Sequence, residues 1–556
     1  MGGETRPAGR LTAVRAVGLV LLSIPALLVV LGAGAYLCGT ECPAAGALPC
    51  KTADYLSMWP VSRHRAPGAQ PPARPHAQAL ASNGTHLFRP TLILVSLDGF
   101  RADYLDRGAT PNLARLGQEG LRADYMLPSF PSSTFPNHYS IATGLYPGCH
   151  GIVSNTFHDR ATNATFVYSN ATVSDQPQWW EAAEPIWVTA EKQGVRAAID
   201  MWPGSSAAIH KIRPTYVVPF SDNVPPANKT RQLLDWLDLP LDRRPALLAA
   251  YMPEVDHAGH SSGPDSAETT SAARLVDAAL GELRQGIAQR NLSHIVNLMV
   301  VSDHGMAAVA LHQNAIYVDD FIDVSRLVGI YGSPLGGIQP KDDRDVPDMY
   351  RKLKAASVGQ PWRVYLRDEI PARFHYAHKT RVAPIFVVPD EPYYVTTHAT
   401  DRWEPSSGSR TIGMHGYDNM NPDMRATFVA YGPAFRPRTE PSPPANSTLP
   451  DASLRIEWAA AQLPDAGARV SDMSAEQEYL ELVHSALVER PLAAAASYRA
   501  VYDRLWGDAH LGEAVLRNAR HPPFENVQLY GLMSRILGIA PAPNNGTADF
   551  ARWWLR

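Results

Sequence analysis

Seven residues in five separated segments carry groups that could assemble one two-metal site around a hydroxyl nucleophile. They are Asp98 in LVSLDGF, Thr134 in PSSTFPN, Asp256 and His260 in EVDHAGH, Asp303 and His304 in VSDHGM, and His415 in GMHGYDN. Six of them offer carboxylate oxygen or imidazole nitrogen, donors that zinc accepts, and none is a thiolate. Three ligands for each of two ions about 4 Å apart is the arrangement that clamps the attacking and leaving oxygens in phosphoryl or sulfuryl transfer. Each segment alone has a plainer use. Asp98 before Gly99 could cap a strand end, Asp256 and His260 are a common i,i+4 pair, and a lone His415 is more often structural. The joint set carries the expectation.

Thr134 is the candidate nucleophile. TFPNHYSIATGLY reads as a helix, with proline in its first turn and threonine a favoured N-cap. The capping use competes with the chemical one. A helix N-terminus also presents unpaired N–H groups and a positive dipole end, which favour an alkoxide and a phosphate oxygen, and a bound metal would lower the hydroxyl pKa further. Asn155 in GIVSNTF could donate its amide to a developing oxyanion.

The elements that must position these groups alternate. TLILVSL, LLAAYM and IVNLMVVS are continuous apolar runs of the kind buried on both faces of a sheet. PNLARLGQEG, EPIWVTAEKQG and AARLVDAALGELRQGIAQRN read as helices. Strands alternating with helices predict an α/β fold with a mainly parallel central sheet flanked by helices. Ligands gather at the carboxyl ends of such strands. Asp98, Asp256, Asp303 and His304 all fall just past one. Gly99 and Gly305 are expected to let the backbone bend there.

At 556 residues the chain has room for one large domain with appendages. Its net charge of −4 gives no electrostatic basis for sequence-specific nucleic-acid binding. Four cysteines exclude a disulfide-dense scaffold, although Cys38, Cys42 and Cys50 cluster. Residues 16–37 form an uncharged apolar run after Arg6, Arg10 and Arg15, long enough to span a bilayer as a helix. The expected order is a cytosolic tail over 1–15, a transmembrane signal anchor over 16–37, a Pro- and Ala-rich stalk over 38–89, and one domain over 90–556. A cleaved signal peptide is the rival for the apolar run. The anchor makes this a type II membrane protein facing the lumen or the outside. Sequons at Asn83, Asn163, Asn170, Asn228, Asn291, Asn446 and Asn545 suit that placement. An Ala-, Leu- and Glu-rich stretch over about 436–522 reads as a helical insertion without chemistry.

VSLDGFRADYL, PSFPSSTFPNHYSIATGLYPGCHGIVSN, EPIWVTAEKQG, VDHAGHSSGPDS, VSDHGM, HGYDN and FENVQLYGLMSRILGIAPAPNNGT resemble the nucleotide pyrophosphatase/phosphodiesterase family of the alkaline phosphatase superfamily. The likeness covers about residues 90–435 and 523–547. It implies an alkaline phosphatase-like fold and two Zn2+ ions. One ion would be held by Asp98, Asp303 and His304 and touch Thr134; the other would be held by Asp256, His260 and His415. Thr134 would form a covalent phospho-enzyme while Asn155 steadies a non-bridging oxygen. The cysteine-rich repeats and nuclease-like domain of some relatives have no counterpart in the sequence.

In nucleotide-cleaving members an aromatic slot grips the base, and the matching positions are Phe135, Phe220 and Tyr251, with Trp202 nearby. Ser206 and Ser174 replace an acidic residue and a lysine of that pocket. The resemblance thus implies cleavage of nucleoside triphosphates or dinucleotides to nucleoside 5′-monophosphates. Two alternatives remain, a lysophospholipid or choline-phosphodiester phosphodiesterase with the same metals and a non-catalytic ectodomain.

Overall fold

The computed structural model describes residues 79–402, 411–435, 521, 523–547 and 550–555. The anchor over 16–37, the tail before it, most of the stalk and, His521 apart, the 436–522 insertion lie outside these residues. No helix among the described residues is long and apolar enough to cross a membrane.

Seven strands make the central sheet: β1 (Thr91–Leu97), β2 (Leu121–Arg122), β3 (Ala197–Asp200), β4 (Tyr216–Val218), β5 (Leu247–Met252), β6 (Val296–Val301) and β7 (Phe428–Tyr431). Their order is β2-β7-β6-β1-β5-β3-β4. The five strands from β6 to β4 are parallel, while β7 pairs antiparallel with β6 and β2 antiparallel with β7. The sheet is therefore mixed, with an antiparallel pair along one side. The three apolar runs read as strands are β1, β5 and β6, the three adjoining central strands.

Alternation along these strands divides the core in two. Leu92 and Leu94 of β1 pack with Leu247 and Ala249 of β5 on one face. Ile93, Val95 and Leu97 pack with Leu248, Ala250 and Met252 on the other. Helices cover both faces, as a mostly parallel sheet requires. Helices α1 (Pro111–Glu119), α3 (Pro226–Leu237) and α5 (Ala267–Gln289) place Leu113, Leu233 and Leu280 in the second core, and α2 (Thr134–Thr143) and α6 (Gln528–Leu537) place Ile141 and Leu532 in the first. A fully buried leucine contributes roughly 1.5–3 kcal/mol, so a charge at Leu94 or Leu248 would break the sheet from inside.

A separate four-stranded antiparallel sheet, Leu327–Tyr331, Gly336–Pro340, Ile385–Pro389 and Trp362–Leu366, has its own small core. Folded structure begins earlier than the 38–89 stalk predicts. Ala81–Ser82 pairs with Leu87–Phe88, Phe88 is buried in the second core, and the Arg244 guanidinium donates to the Leu87 carbonyl. One buried aromatic outweighs the linker-like composition around it.

Candidate metal centre

At the carboxyl end of β1, the Asp98 backbone N–H donates to the Met252 carbonyl at 2.9 Å. The chain then turns through Gly99 at φ +64°. A Cβ on Gly99 would lie 3.0 Å from the Asp256 Cα and 3.1 Å from its Oδ1. Glycine is required both by the dihedral and by the approach of the next ligand segment. Gly305 serves differently from expectation. Its φ is not positive, but a Cβ there would overlap the Asp423 carbonyl. Close passage of the loop after His415 demands glycine there, not a bend.

Helix α4 (Glu254–Ser262) follows β5 and carries Asp256 and His260 one turn apart on one face. Asp256 sits in its first turn, where the helix dipole favours a carboxylate. His415 follows the short strand Thr411–Met414, which pairs with Ala307–Ala310 just past His304. That pairing brings the fifth segment to the other four.

The six ligands fall into two groups, Asp98–Asp303–His304 and Asp256–His260–His415, with the donor atoms in each group within 4.8 Å of one another. In the first, His304 Nε2 lies 3.3 Å from Asp98 Oδ1 and 3.1 Å from Asp303 Oδ2. In the second, Asp256 Oδ1 lies 3.4 Å from His260 Nε2 and 3.5 Å from His415 Nε2. The His304 and His415 rings stack with centroids 3.6 Å apart, joining the groups.

Five of the six ligands have one atom tethered and one left open. His304 Nδ1 donates to the Gly305 carbonyl at 2.8 Å, His260 Nδ1 to Gly413 at 2.8 Å, and His415 Nδ1 to Ser132 at 2.9 Å. A carbonyl only accepts, so each Nδ1 carries a proton and each Nε2 is left facing inward. His260 and His415 thus aim two Nε2 atoms at each other across 3.1 Å. Tyr251 donates its hydroxyl to Asp98 Oδ2, and Gly99 N–H donates to Asp303 Oδ1 at 3.2 Å. Among the described residues, no hydrogen-bond donor is aligned on the remaining buried oxygens, Asp98 Oδ1, Asp256 Oδ1 and Asp303 Oδ2. Buried oxygens and imidazole lone pairs converging without donors fit cations of the oxygen- and nitrogen-binding kind.

Electrostatics agree. Burial pushes the Asp98 carboxyl well above the usual range, helped by the charges of Asp303 and Asp256. Burial also works against ionised Asp303, yet His304 and His138 outweigh it and hold that carboxyl well below its usual value. Burial and the neighbouring His304 press His415 down to about 3, so its ring is neutral near pH 7. Three carboxylates in one dry pocket repel one another unless positive charge is brought among them.

Thr134 is the first residue of α2 and not its cap. Ser133 occupies the cap position, and neither side chain closes the helix end. The Thr134 hydroxyl turns inward instead, with Oγ1 3.3 Å from His304 Nε2. Asn155 stands beside it. Its side-chain oxygen accepts from the Phe135 N–H at 2.9 Å, which fixes the amide plane next to the hydroxyl.

The aromatic positions separate. Phe135 is half-buried against Tyr168 and Trp180, and Phe220 is 50% exposed with its ring 6.1 Å from Tyr251. Tyr251 is buried and committed to Asp98. Trp202 corrects the expectation: at 2% exposed, its ring edge packs on His138 at 4.9 Å and its indole N–H donates to the His138 carbonyl, so it supports the site from behind.

His138 is the residue that sequence reasoning missed. Fully buried one turn after Thr134, it places Nδ1 2.9 Å from the Thr134 carbonyl and 3.3 Å from Asp303 Oδ2, with Nε2 2.9 Å from Ser96 Oγ. The i,i+4 spacing from Thr134 was the available signal.

Residues 92–418 match the family model described as type I phosphodiesterase / nucleotide pyrophosphatase. The chain belongs to that family. An uncharacterized pyrophosphatase/phosphodiesterase of Schizosaccharomyces pombe is 42% identical over 360 residues, which are 64% of this chain and 74% of that protein. Human ectonucleotide pyrophosphatase/phosphodiesterase family member 1 is 37% identical over 359 residues, 62% of this chain but 38% of that protein. The match therefore spans less than half the length of mammalian family members 1 and 3. Murine ectonucleotide pyrophosphatase/phosphodiesterase 5 superposes with a TM-score of 0.64 at 28% identity, covering 84% of this chain and all of that one. An inactive threonine-to-alanine variant of the murine protein has been solved in complex with AMP. These relatives are named as hydrolases of pyrophosphate and phosphodiester bonds.

Proposed function

We propose that this chain is a two-zinc phosphodiesterase/pyrophosphatase that cleaves nucleoside triphosphates or dinucleotides to nucleoside 5′-monophosphates. The carrying observation is the Thr134 hydroxyl, turned away from its helix end and held 3.3 Å from His304 Nε2 beside three donor-free carboxylate oxygens. Asp98, Asp303 and His304 would hold one Zn2+, and Asp256, His260 and His415 the other. When bound, the pair supplies Lewis-acid charge for a hydroxyl nucleophile and for the leaving oxygen.

The chain's own residues do the rest. Helix α2 points its N-terminus at the incoming phosphate. Thr134 Oγ1 gives up its proton to solvent and attacks phosphorus, and the P–O bond to the pyrophosphate or nucleotide leaving group breaks. Water then hydrolyses the resulting nucleotidyl phospho-threonine to free nucleoside monophosphate and restores the hydroxyl. Asn155, with its oxygen engaged by Phe135 N–H, directs its NH2 to a non-bridging oxygen. Tyr251 and His138 hold Asp98 and Asp303 in register. Phe135 and exposed Phe220 offer rings for a base to stack on, a contact worth about 1–3 kcal/mol.

The type II anchor, lumenal or extracellular placement and N-linked glycans belong to the same proposal. Asn163, Asn170, Asn228, Asn291 and Asn545 are exposed and Asn83 is half-buried, while Asn446 lies outside the described residues. The test is purified zinc-loaded protein assayed on ATP, diadenosine polyphosphates and lysophosphatidylcholine. Release of AMP is expected. Release of choline or phosphocholine without nucleotide cleavage overturns the substrate class, and Thr134→Ala with full turnover overturns the nucleophile.

A further inference from the structure

Arg101 stands three residues past Asp98, in the turn leaving β1, and its side chain is only 10% exposed. Its guanidinium reaches every other segment that carries a metal ligand. Nη1 donates to the Met306 carbonyl at 2.8 Å, two residues beyond His304. The same nitrogen lies 3.2 Å from Asp423 Oδ1, in the loop that follows His415. Nη2 donates to Asp265 Oδ1 at 3.3 Å, three residues past the end of α4 with Asp256 and His260. Nε donates to Asp103 at 2.6 Å, fixing the fork to its own turn.

Backbone ties run through the same point. Gly305 N–H donates to the Met424 carbonyl and Ala102 N–H to the Arg425 carbonyl, both at 3.0 Å. Gly305 has no room for a side chain against Asp423 and the Arg101 stem. A buried guanidinium must have its donors filled, and its rigid planar fork, unlike an ammonium, dictates the directions of its partners. Asp103, Asp265 and Asp423 are solvent-exposed to a large degree, and ion pairs of that kind add little stability. Their geometry is what the arrangement supplies.

We propose that Arg101 is a positioning residue that sets the spacing between the two ligand triads. It contacts no ligand atom and no reacting group. It locks four ligand-bearing segments to one plane, so the two cations are held at a single separation. This rests on the two-cation reading above.

The experiment uses metal-depleted full-length protein, reloaded with Zn2+ against a competing chelator and, separately, with Mn2+ for electron paramagnetic resonance of the coupled pair. For Arg101→Met we expect weaker Zn2+ binding by about 10–100-fold, as for residues that orient ligands. The Mn2+ coupling should change, and kcat should fall with KM within a few-fold. Arg101→Lys, which keeps the charge but not the fork, should recover affinity only in part. Asp265→Asn and Asp423→Asn, at exposed carboxylates, keep the question decidable if Arg101→Met does not fold. Each should weaken one Zn2+ site and leave the other unchanged. Unaltered Zn2+ affinities and Mn2+ coupling in the folded variants overturn this proposal alone. Fewer than two ions in the unsubstituted protein overturns the two-cation reading with it.

Discussion

The two ligand triads differ in depth. Asp98, Asp303 and His304 are all buried, and Tyr251, Gly99 and His138 secure them from behind. Asp256 and His415 are buried too, but His260 keeps 31% of its side chain exposed, and backbone carbonyls alone fix its group's imidazoles. The inner triad is backed by side chains and faces the nucleophile. The outer triad opens to solvent through His260. On the proposed mechanism, depth would divide the labour, with attack on the inner side and exchange on the outer.

Replacing the group that faces the inner triad should produce the largest effect. Thr134→Ala is expected to lower kcat by at least about 10³-fold while the protein still binds its metal ions, as measured by steady-state kinetics beside metal content. Equal metal loss and activity loss would show that Thr134 serves the site only as a ligand. Next, Asp303→Asn should cost more activity than His260→Ala, and a chelator should strip the outer ion first. Metal content followed over time in dipicolinate checks this; simultaneous release of both ions would erase the distinction between the triads. Tyr251→Phe should then weaken the inner ion alone, by about 10–100-fold, in a competitive Zn2+ titration.

A last prediction concerns a buried carboxylate outside both triads. Asp200 ends β3, is 2% exposed, and leaves Oδ1 without a partner. Burial pushes its carboxyl up to about 6, with Lys229 only partly offsetting the rise. Its folded value therefore exceeds the unfolded value of about 3.9. Folding favours the protonated form, so the contribution is fully present below about pH 4 and is lost as pH rises through about 6. Asp200→Asn should stabilise the protein by up to about 3 kcal/mol at pH 8 and by about half that at pH 5. Chemical denaturation at the two pH values measures it. An equal gain at both would mean that ionisation of Asp200 is not the cause.

Much of this was legible in the chain. β1, β5 and β6 are central strands shielded on both faces, so their runs are uninterrupted and readable. β7 has four residues and β2 two, too few to show a period, and the reversed direction of β7 depends on tertiary return paths. The ligands were readable because each is a donor placed against a strand end or helix turn. The competing use of Thr134 as a helix cap fails by one position, because capping preference is local whereas the hydroxyl lies against His304 across the fold. Trp202, His138 and the tie from Tyr251 to Asp98 exist only through neighbours on other elements, so residue type alone misassigned the first and left the others unseen.

The central sheet ends on both sides in very short strands, two residues in β2 and three in β4. Among the described residues, little unpaired backbone is therefore offered at either margin. A second molecule would find few N–H and C=O groups in line to extend the sheet. A large sheet so trimmed can be kept at high local concentration without adding strands from its neighbours.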